Sequence, residues 1–183
     1  MTLLVREMTA DDCEAVARVR VRSWQHTYPG AVPQSYLDAM SVEEDTARRR
    51  EHLVEGGGGR VVHLVAERAR RVVGWGCYGP ARDEDASQGA AELYALYALP
   101  EQLATGVGRA LMDALAKRAA ADSCPLLLLW VLTANTRARR FYTKAGFAAD
   151  GAEQSFTVDG VAVPEVRYAR ALSASPAAAP SLG

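Results

Sequence analysis

Two glycines, Gly106 and Gly108, stand one residue apart where the chain changes from a strand pattern to a helical pattern. Residues 91–99 form an apolar run with the composition of a strand, and an apolar pattern at helical spacing continues from about residue 106 to residue 121. A glycine turn at such a place gathers unpaired backbone N–H groups at the positive end of a helix dipole. The residues therefore indicate an anion site, and phosphate is its natural ligand.

Other interpretations of the two glycines can be compared with the residues around them. A plain tight turn stays open, because short glycine motifs occur by chance. A Walker loop requires Gly-Lys-Ser/Thr, whereas Arg109 follows Gly108. A Rossmann fingerprint requires a third glycine where Leu111 stands, in a βαβ unit that opens the chain, and this loop lies past the midpoint. Both of these nucleotide-binding motifs fit poorly.

A second unit of strand and helix follows the first. Residues 126–132 read LLLLWVL, an unbroken apolar run typical of a strand that is covered on both faces. The next helix begins near Asn135, carries Tyr142 and ends at Gly146 in a C-cap position. On the residues alone, Asn135 is equally well explained as an N-cap, and a core aromatic is the open alternative for Tyr142.

The rest of the chain predicts the elements around these two units. Strands are expected at residues 2–7, 61–66 and 72–78, and helices near residues 15–24 and 42–54. The glycines at 56–59 are expected to end the second of those helices flexibly. The hairpin tip is expected to leave Arg68, Arg70 and Arg71 solvated.

The C-terminal part of the chain predicts three more segments. One strand is expected to start at Phe147, and a last pair of strands is expected on either side of Asp159 and Gly160. The tail at residues 173–183 is rich in Pro, Ser and Ala, with little to bury, and is expected to be disordered.

Composition and charge limit the class of protein. The chain has 183 residues, 49% of them hydrophobic and 23% charged, which is typical of one soluble globular domain. Its 21 Lys and Arg nearly balance its 22 Asp and Glu, so no overall field favours nucleic acid or an anionic membrane as a partner. The first residues are too briefly apolar for a signal peptide, and no run approaches the roughly 20 apolar residues of a membrane helix, so a cytoplasmic location is expected.

The cysteines and histidines indicate no metal site. Cys13, Cys77 and Cys124 are far apart and follow no spacing typical of zinc ligands, so they are expected to be reduced, packed thiols. His26 and His63 have no partner at a recognisable spacing.

The two strand and helix units together, AELYALYALPEQLATGVGRALM and WVLTANTRARRFYTKAGF, resemble the GNAT superfamily of acetyl-CoA-dependent N-acetyltransferases. The segment VRSWQHTYPGAVPQSYLDAM resembles the first two helices of a bacterial subgroup of small GNAT enzymes, so the resemblance covers about residues 2–172. It implies an α/β fold in one domain over residues 1–172, with a mixed, mostly antiparallel central sheet and helices on both faces. In relatives the C-terminal strands often mediate dimers, which makes a homodimer an expectation here.

The resemblance assigns the glycine loop to coenzyme A. In the family this loop reads Arg or Gln, two residues, Gly, one residue, then Gly or Ala, and its amides hold the pyrophosphate. Carried over, the cofactor-binding residues are Leu103, Ala104, Gly106, Gly108 and Arg109. Leu103 replaces the usual Arg or Gln, and the lost hydrogen bond to a charged oxygen would be worth about 1.5–3 kcal/mol. Weaker cofactor affinity is therefore expected, not its loss.

The resemblance also implies a slot for the pantetheine arm. The strand that begins at Ala91 would splay from the strand at residues 126–132, and the arm would pair with the backbone of Leu96 and Ala98 as an added strand does. Asn135 would help to hold the arm.

Two catalytic roles follow from the resemblance. Glu92 matches the strand position of the catalytic glutamate in the histone-acetylating branch and would deprotonate the amine through water, although an ordinary strand-edge carboxylate is the open alternative. Tyr142 would donate a proton to the departing thiolate. The backbone N–H of Ala98 would polarise the thioester carbonyl.

The acceptor residues are the least defined by sequence. Trp24, Tyr28 and Tyr78 are expected at the acceptor channel, with Trp75 and His26 nearby, and plain packing is the alternative for each aromatic residue. The implied activity is direct acetyl transfer to a primary amine of a small molecule or peptide. Two rivals remain: a non-catalytic acyl-CoA-binding regulatory domain, and a nucleotide-phosphate enzyme.

Overall fold

The computed structural model describes residues 2–54 and 61–172. The glycines at 56–59 and the tail at 173–183 lie outside the described residues, so the expectations about them stay predictions. No helix in the described ranges is long and apolar enough to cross a membrane.

One mixed sheet forms the centre of the described chain. Its strands are β1 (Leu3–Glu7), β2 (Val62–Arg68), β3 (Arg71–Pro80), β4 (Ala91–Ala98), β5 (Leu126–Leu132), β6 (Ala148–Val158) and β7 (Val161–Ala171). They lie in the order β1-β2-β3-β4-β5-β7-β6, and β4 with β5 is a parallel pair whereas the other neighbours are antiparallel. This arrangement confirms the predicted mixed, mostly antiparallel sheet.

Helices cover both faces of the sheet, as predicted. They are α1 (Cys13–Thr27), α2 (Gln34–Ala39), α3 (Val42–Val54), α4 (Val107–Ala121) and α5 (Thr136–Lys144). Leu64 and Ala66 of β2 pack in the core beside α4, whereas Val65 between them packs in the core beside α1. Side chains that alternate along a strand thus serve one helix layer on each face.

Close packing fixes α4 on the sheet. A Cβ atom at Gly74 would lie 2.6 Å from Val107 Cγ1, and one at Gly76 would lie 2.8 Å from Leu115 Cδ1. The two glycines of β3 therefore let the first turns of α4 approach the sheet backbone.

The parallel strands β4 and β5 part after a short common stretch. Their register joins Ala91–Leu93 to Leu127–Leu129, after which, among the described strands, β4 stays paired only with β3 and β5 only with β7. A register shift at Cys77/Tyr78 leaves a bulge in the β3/β4 pair, and bulges of this kind bend a sheet. The predicted splay of the two strands is confirmed.

The C-terminal hairpin differs from its prediction in one respect. The turn at Asp159 and Gly160 has φ angles of 47° and 76°, as the sequence indicated for a tight hairpin. The two strands predicted before that turn are one strand, β6, with an irregularity between Ala149 and Glu153. A bulge lets a strand continue through residues that break its alternation.

Candidate active site

A cavity of about 510 Å³ opens where β4 and β5 diverge. Nearly all the residues predicted to bind or react line it, namely Trp24, Tyr28, Glu92, Leu96, Ala98, Leu103, Ala104, Gly106, Gly108, Arg109, Asn135 and Tyr142. The fold thus brings the two strand and helix units together around one space.

The glycine loop lies at one end of this cavity. Gly106 is the N-cap of α4 and has a φ of 91°, a conformation that favours glycine. The Ala110 N–H donates to the Gly106 carbonyl at 3.0 Å, so the N–H groups of residues 107–109 have no acceptor within the helix. These backbone donors and the positive end of the helix dipole lie where the sequence indicated an anion site.

The loop has an unusual residue at one left-handed position. Ala104 has a φ of 62°, a conformation that costs a residue with a side chain about 1–2 kcal/mol. Leu103 carries no polar group, and the Arg109 Nε donates to Asp113 at 2.8 Å on the exposed side of α4. The loop therefore offers its backbone, more than its side chains, to an anion.

Arg68 binds the residues next to the glycine loop, so the prediction that it is solvated was wrong. Its Nη1 donates to Gln102 Oε1 at 2.6 Å and to Thr105 Oγ1 at 3.2 Å, and its Nη2 donates to the Thr105 carbonyl at 3.2 Å. Arg70 and Arg71 are exposed, as predicted. The charged run gave no signal of this difference, because the contact joins residues 34 and 37 positions apart.

The opened edge of β4 presents peptide groups to the cavity. The Leu99 N–H donates to the Val73 carbonyl of β3 at 2.9 Å. Because peptide groups alternate between the two edges of a strand, those of Leu96 and Ala98 face away from β3 toward the gap. The Ser23 hydroxyl donates to the Ala98 carbonyl at 2.7 Å. Ser23 therefore binds the carbonyl of Ala98, whereas the N–H of Ala98, which faces the same gap, takes no part in that hydrogen bond.

Asn135 caps α5 and lines the cavity as well. Its Oδ1 accepts from the Ala138 N–H at 3.1 Å, which is the N-cap interaction that the sequence left open. The cap commits the side-chain oxygen, so the Nδ2 group is the part of Asn135 that can serve a ligand.

Tyr142 is both a packed aromatic and a cavity residue. Its ring makes edge contacts with Phe141 and Phe147, at centroid distances of 5.3 and 5.9 Å. Burial raises the pKa of its hydroxyl above the ordinary value near 10. The hydroxyl therefore carries its proton at neutral pH, as a proton donor must.

Glu92 is buried in an ion pair. It is 2% exposed, and its Oε2 accepts from both the backbone N–H and the Nε of Arg82 at 3.1 Å. Its Oε1 accepts from the Arg82 Nη2, and that guanidinium lies over the Tyr94 ring at 4.3 Å. Glu92 is therefore not an edge carboxylate, and its charge is already compensated.

A protein-family model described as the acetyltransferase (GNAT) family matches residues 13–147. The chain belongs to this family. A GNAT relative, YuaI of Bacillus subtilis, is named an uncharacterized N-acetyltransferase. It is 29% identical over 162 residues, which cover 88% of this chain and 89% of YuaI.

Solved GNAT structures share the fold. PaiA N-acetyltransferase from Thermoplasma acidophilum, in complex with coenzyme A, matches with a TM-score of 0.74 at 20% identity, over 93% of this chain and 99% of PaiA. YncA from Salmonella typhimurium, with its cofactor acetyl-CoA, matches with a TM-score of 0.70 at 19% identity over 100% of both chains. Because both sequence identities are near 20%, these similarities show that the fold is shared and nothing beyond it.

Tyr78, predicted at the acceptor channel of this GNAT protein, lies elsewhere. Its hydroxyl donates to Asp122 beyond the end of α4, and its ring packs in the core beside that helix. Along β3 the side chains alternate between the α1 face, with Trp75 and Cys77, and the α4 face, to which Tyr78 belongs together with Gly74 and Gly76. Trp75 packs in the core beside α1, and His26 is exposed, so neither joins Trp24 and Tyr28 at the cavity.

The cavity lining also contains residues that sequence reasoning missed. They are Tyr94, Tyr97, Trp130, Gln154, Phe156 and Glu165. Glu165 of β7 pairs in register with Leu132 of β5 and with Gln154 of β6. No local motif could have indicated it, because β7 lies between β5 and β6 only in the folded sheet.

Proposed function

We propose that this GNAT protein transfers the acetyl group of acetyl-CoA directly to a primary amine. The observation that carries the proposal is the gap between β4 and β5 with a row of backbone donors at one end of the same cavity. The coenzyme complexes of the structurally similar PaiA and YncA support it.

The residues fit the parts of acetyl-CoA in order along the cavity. The N–H groups of residues 107–109 would hold the diphosphate, and the peptide groups of Leu96 and Ala98 would hold the pantetheine arm. Asn135 would add an Nδ2 donor to the arm. Acetyl-CoA supplies an activated thioester, which an amine can attack without help from a metal or an oxidant.

The chain's own groups then manage charge and protons. The Ala98 N–H donates to the carbonyl oxygen as negative charge develops there, and Tyr142 gives its proton to the sulfur as the C–S bond breaks. A carboxylate at the acceptor end takes the proton that the amine loses as the C–N bond forms. Transfer through an enzyme thiol is disfavoured, because Cys13, Cys77 and Cys124 all lie outside the cavity lining and burial raises the pKa of each thiol.

The first experiment separates an enzyme from its rivals. Acetyl-CoA is expected to raise the melting temperature, and a panel of primary amines is expected to release CoA thiol, measured with a thiol reagent. Stabilisation without thiol release on any amine would identify a regulatory acyl-CoA-binding domain. Stronger stabilisation by ATP or NAD would identify a nucleotide-phosphate enzyme.

Gly106 and Gly108 form a matched pair for the phosphate end. Ala at 106 is expected to weaken CoA binding about tenfold, because a residue with a side chain pays about 1–2 kcal/mol in the left-handed conformation. Ala at 108 is expected to bind within about twofold of wild type, since its Cβ would meet the Phe141 ring at an ordinary 3.7 Å. Titration calorimetry with CoA measures both. Equal affinities for Gly106→Ala and Gly108→Ala would contradict the role of the loop conformation.

A further inference from the structure

The acceptor end of the cavity has aromatic walls from four elements. The rings are Trp24 of α1 and Tyr28 directly after this helix, Tyr94 and Tyr97 of β4, Trp130 of β5 and Phe156 of β6. Trp24 and Tyr28 meet edge to face with centroids 4.9 Å apart. Such walls favour an apolar body, because they bury aliphatic or aromatic surface and offer few polar groups in return.

Five charged side chains line the cavity: Arg109 and Arg137 belong to the first turns of α4 and α5, and the other three are Arg82, Glu92 and Glu165. Arg82 holds both carboxylate oxygens of Glu92, as described above. The third group, Glu165, accepts a hydrogen bond from the neutral Gln154 at 3.0 Å. Within residues 2–54 and 61–172, Glu165 forms no ion pair.

The nearest candidate cation on the same strand is committed elsewhere. Arg167, two residues from Glu165 on β7 and therefore on the same face of the strand, donates to Asp83, Asp85 and Asp150. The acceptor end therefore has a net formal charge of −1, carried by Glu165.

The surroundings of Glu165 also suit a proton acceptor. Burial raises the pKa of its carboxyl, and the nearby charge of Glu92 raises it further, while Gln154 and Arg82 act in the opposite direction. The other titratable groups that face it are the hydroxyls of Tyr28 and Tyr97, whose own pKa values burial raises, so they stay neutral. A general base works best when its pKa lies nearer the working pH than that of a free carboxylate.

From these contacts we propose that Glu165 receives the ammonium group of the acceptor and then takes its proton, and that the acceptor is a primary amine on an uncharged apolar body. The inference rests on the proposed acetyl transfer. A single cation matches the net charge of the acceptor end. An α-amino acid would bring a carboxylate next to Glu165, and Arg82 already binds Glu92 through its Nε and Nη2.

The atoms balance in one transfer. The ammonium loses a proton to the Glu165 carboxylate, directly or through one water, and the free amine nitrogen forms a bond to the acetyl carbon. The C–S bond breaks, and the sulfur gains the proton of Tyr142. On becoming an amide the nitrogen loses a second proton, which returns through solvent to the Tyr142 oxygen, and Glu165 releases its proton to solvent, so the net products are the acetamide, the CoA thiol and one proton.

The substrate test compares two amines with the same ring, 2-phenylethylamine and phenylalanine, in the thiol-release assay. Wild type is expected to favour 2-phenylethylamine about 100-fold in kcat/KM, because like charges would meet in the phenylalanine complex. Equal use of the two, or a preference for phenylalanine, overturns the acceptor class while the acetyltransferase proposal stands. Thiol release with a peptide amine, but with neither of these two amines, also overturns the proposed acceptor class.

The residue test uses carboxylate-to-amide variants. Glu165→Gln is expected to lower kcat/KM for 2-phenylethylamine about 100-fold, to reduce the preference over phenylalanine, and to leave acetyl-CoA affinity unchanged. Glu153→Gln, an exposed change on the neighbouring strand β6, is the matched control and is expected to behave as wild type.

The pH profile distinguishes Glu165 from Glu92. With Glu165 as base, wild-type kcat/KM rises with pH through the raised pKa of one carboxyl, and this acidic limb disappears in Glu165→Gln but persists in Glu92→Gln. The opposite pattern would return the base to Glu92 and overturn the assignment. Failure of acetyl-CoA to bind, or of any amine to release thiol, would instead remove the proposed function and the inference with it.

Discussion

Replacing Tyr142 by Phe is expected to lower turnover about 100-fold, the lower end of the usual range for a general acid. The thiol of CoA, with a pKa near the 8.5 of a free thiol, leaves readily, so protonation assists the step without being indispensable. The ring contacts with Phe141 and Phe147 stay in place, because the change removes one hydroxyl oxygen only. Coenzyme affinity is therefore expected to stay within about twofold of wild type.

The measurement is kcat at saturating amine, with CoA affinity from calorimetry. Tyr168→Phe is the matched control: Tyr168 is a buried tyrosine outside the cavity lining, whose hydroxyl accepts from Arg139 Nε at 3.3 Å. Normal turnover by Tyr142→Phe with the preferred amine would remove Tyr142 from the mechanism. Equal losses in both variants would point to a loss of structure rather than of a proton donor.

The second large effect is expected at Arg167, where Met in place of Arg should lower the free energy of unfolding by about 3 kcal/mol. The Arg167 side chain is 10% exposed and donates to Asp150 at 2.7 Å, Asp83 at 3.1 Å and Asp85 at 2.6 and 2.8 Å. Methionine keeps much of the apolar stem but leaves the carboxylates facing one another. The value lies at the low end for a broken buried pair because Asp85 is largely exposed.

Urea unfolding measures this change, with Arg140→Met on the exposed side of α5 as a control expected within about 0.5 kcal/mol of wild type. The pH dependence has a definite sign. Arg167 holds the pKa of Asp85 below its ordinary value, so this stabilisation is present above about pH 4 and is lost as the pH falls through the folded-state pKa. A difference between wild type and Arg167→Met that grows on acidification would contradict the account.

Local patterns predicted the elements well where one signal dominated. The unbroken apolar run of β5 gave its bounds at Leu126 and Leu132, because a strand covered on both faces has no polar residue inside it. Gly146 ends α5 with a φ of 88°, as a C-cap glycine does. The glycine loop was placed correctly for the same reason: the strand, the turn and the helix are adjacent in sequence.

Long-range register decided what the sequence could not predict. Tyr78 packs beside α4 because it shares one face of β3 with Gly74 and Gly76, and only the folded sheet decides which helix covers that face. Glu165 reaches the cavity because β7 lies between β5 and β6 in the sheet, although β6 comes before β7 in the chain. The sequence around Arg68 is that of a solvated charged turn, and only the folded sheet brings this residue within hydrogen-bond distance of Gln102 beside the glycine loop.

The short contact between β4 and β5 makes the sheet two plates joined along a narrow seam, with β1 to β4 on one side and β5 to β7 on the other. Arg167 and Trp130 lie on the second plate, whereas Asp83, which accepts from both, belongs to the connection that leads into β4. Their hydrogen bonds therefore connect the two halves of the sheet beside the short β4/β5 contact. The two halves of the sheet can thus stay apart where the cavity opens, and these hydrogen bonds still oppose further separation of β4 from β5.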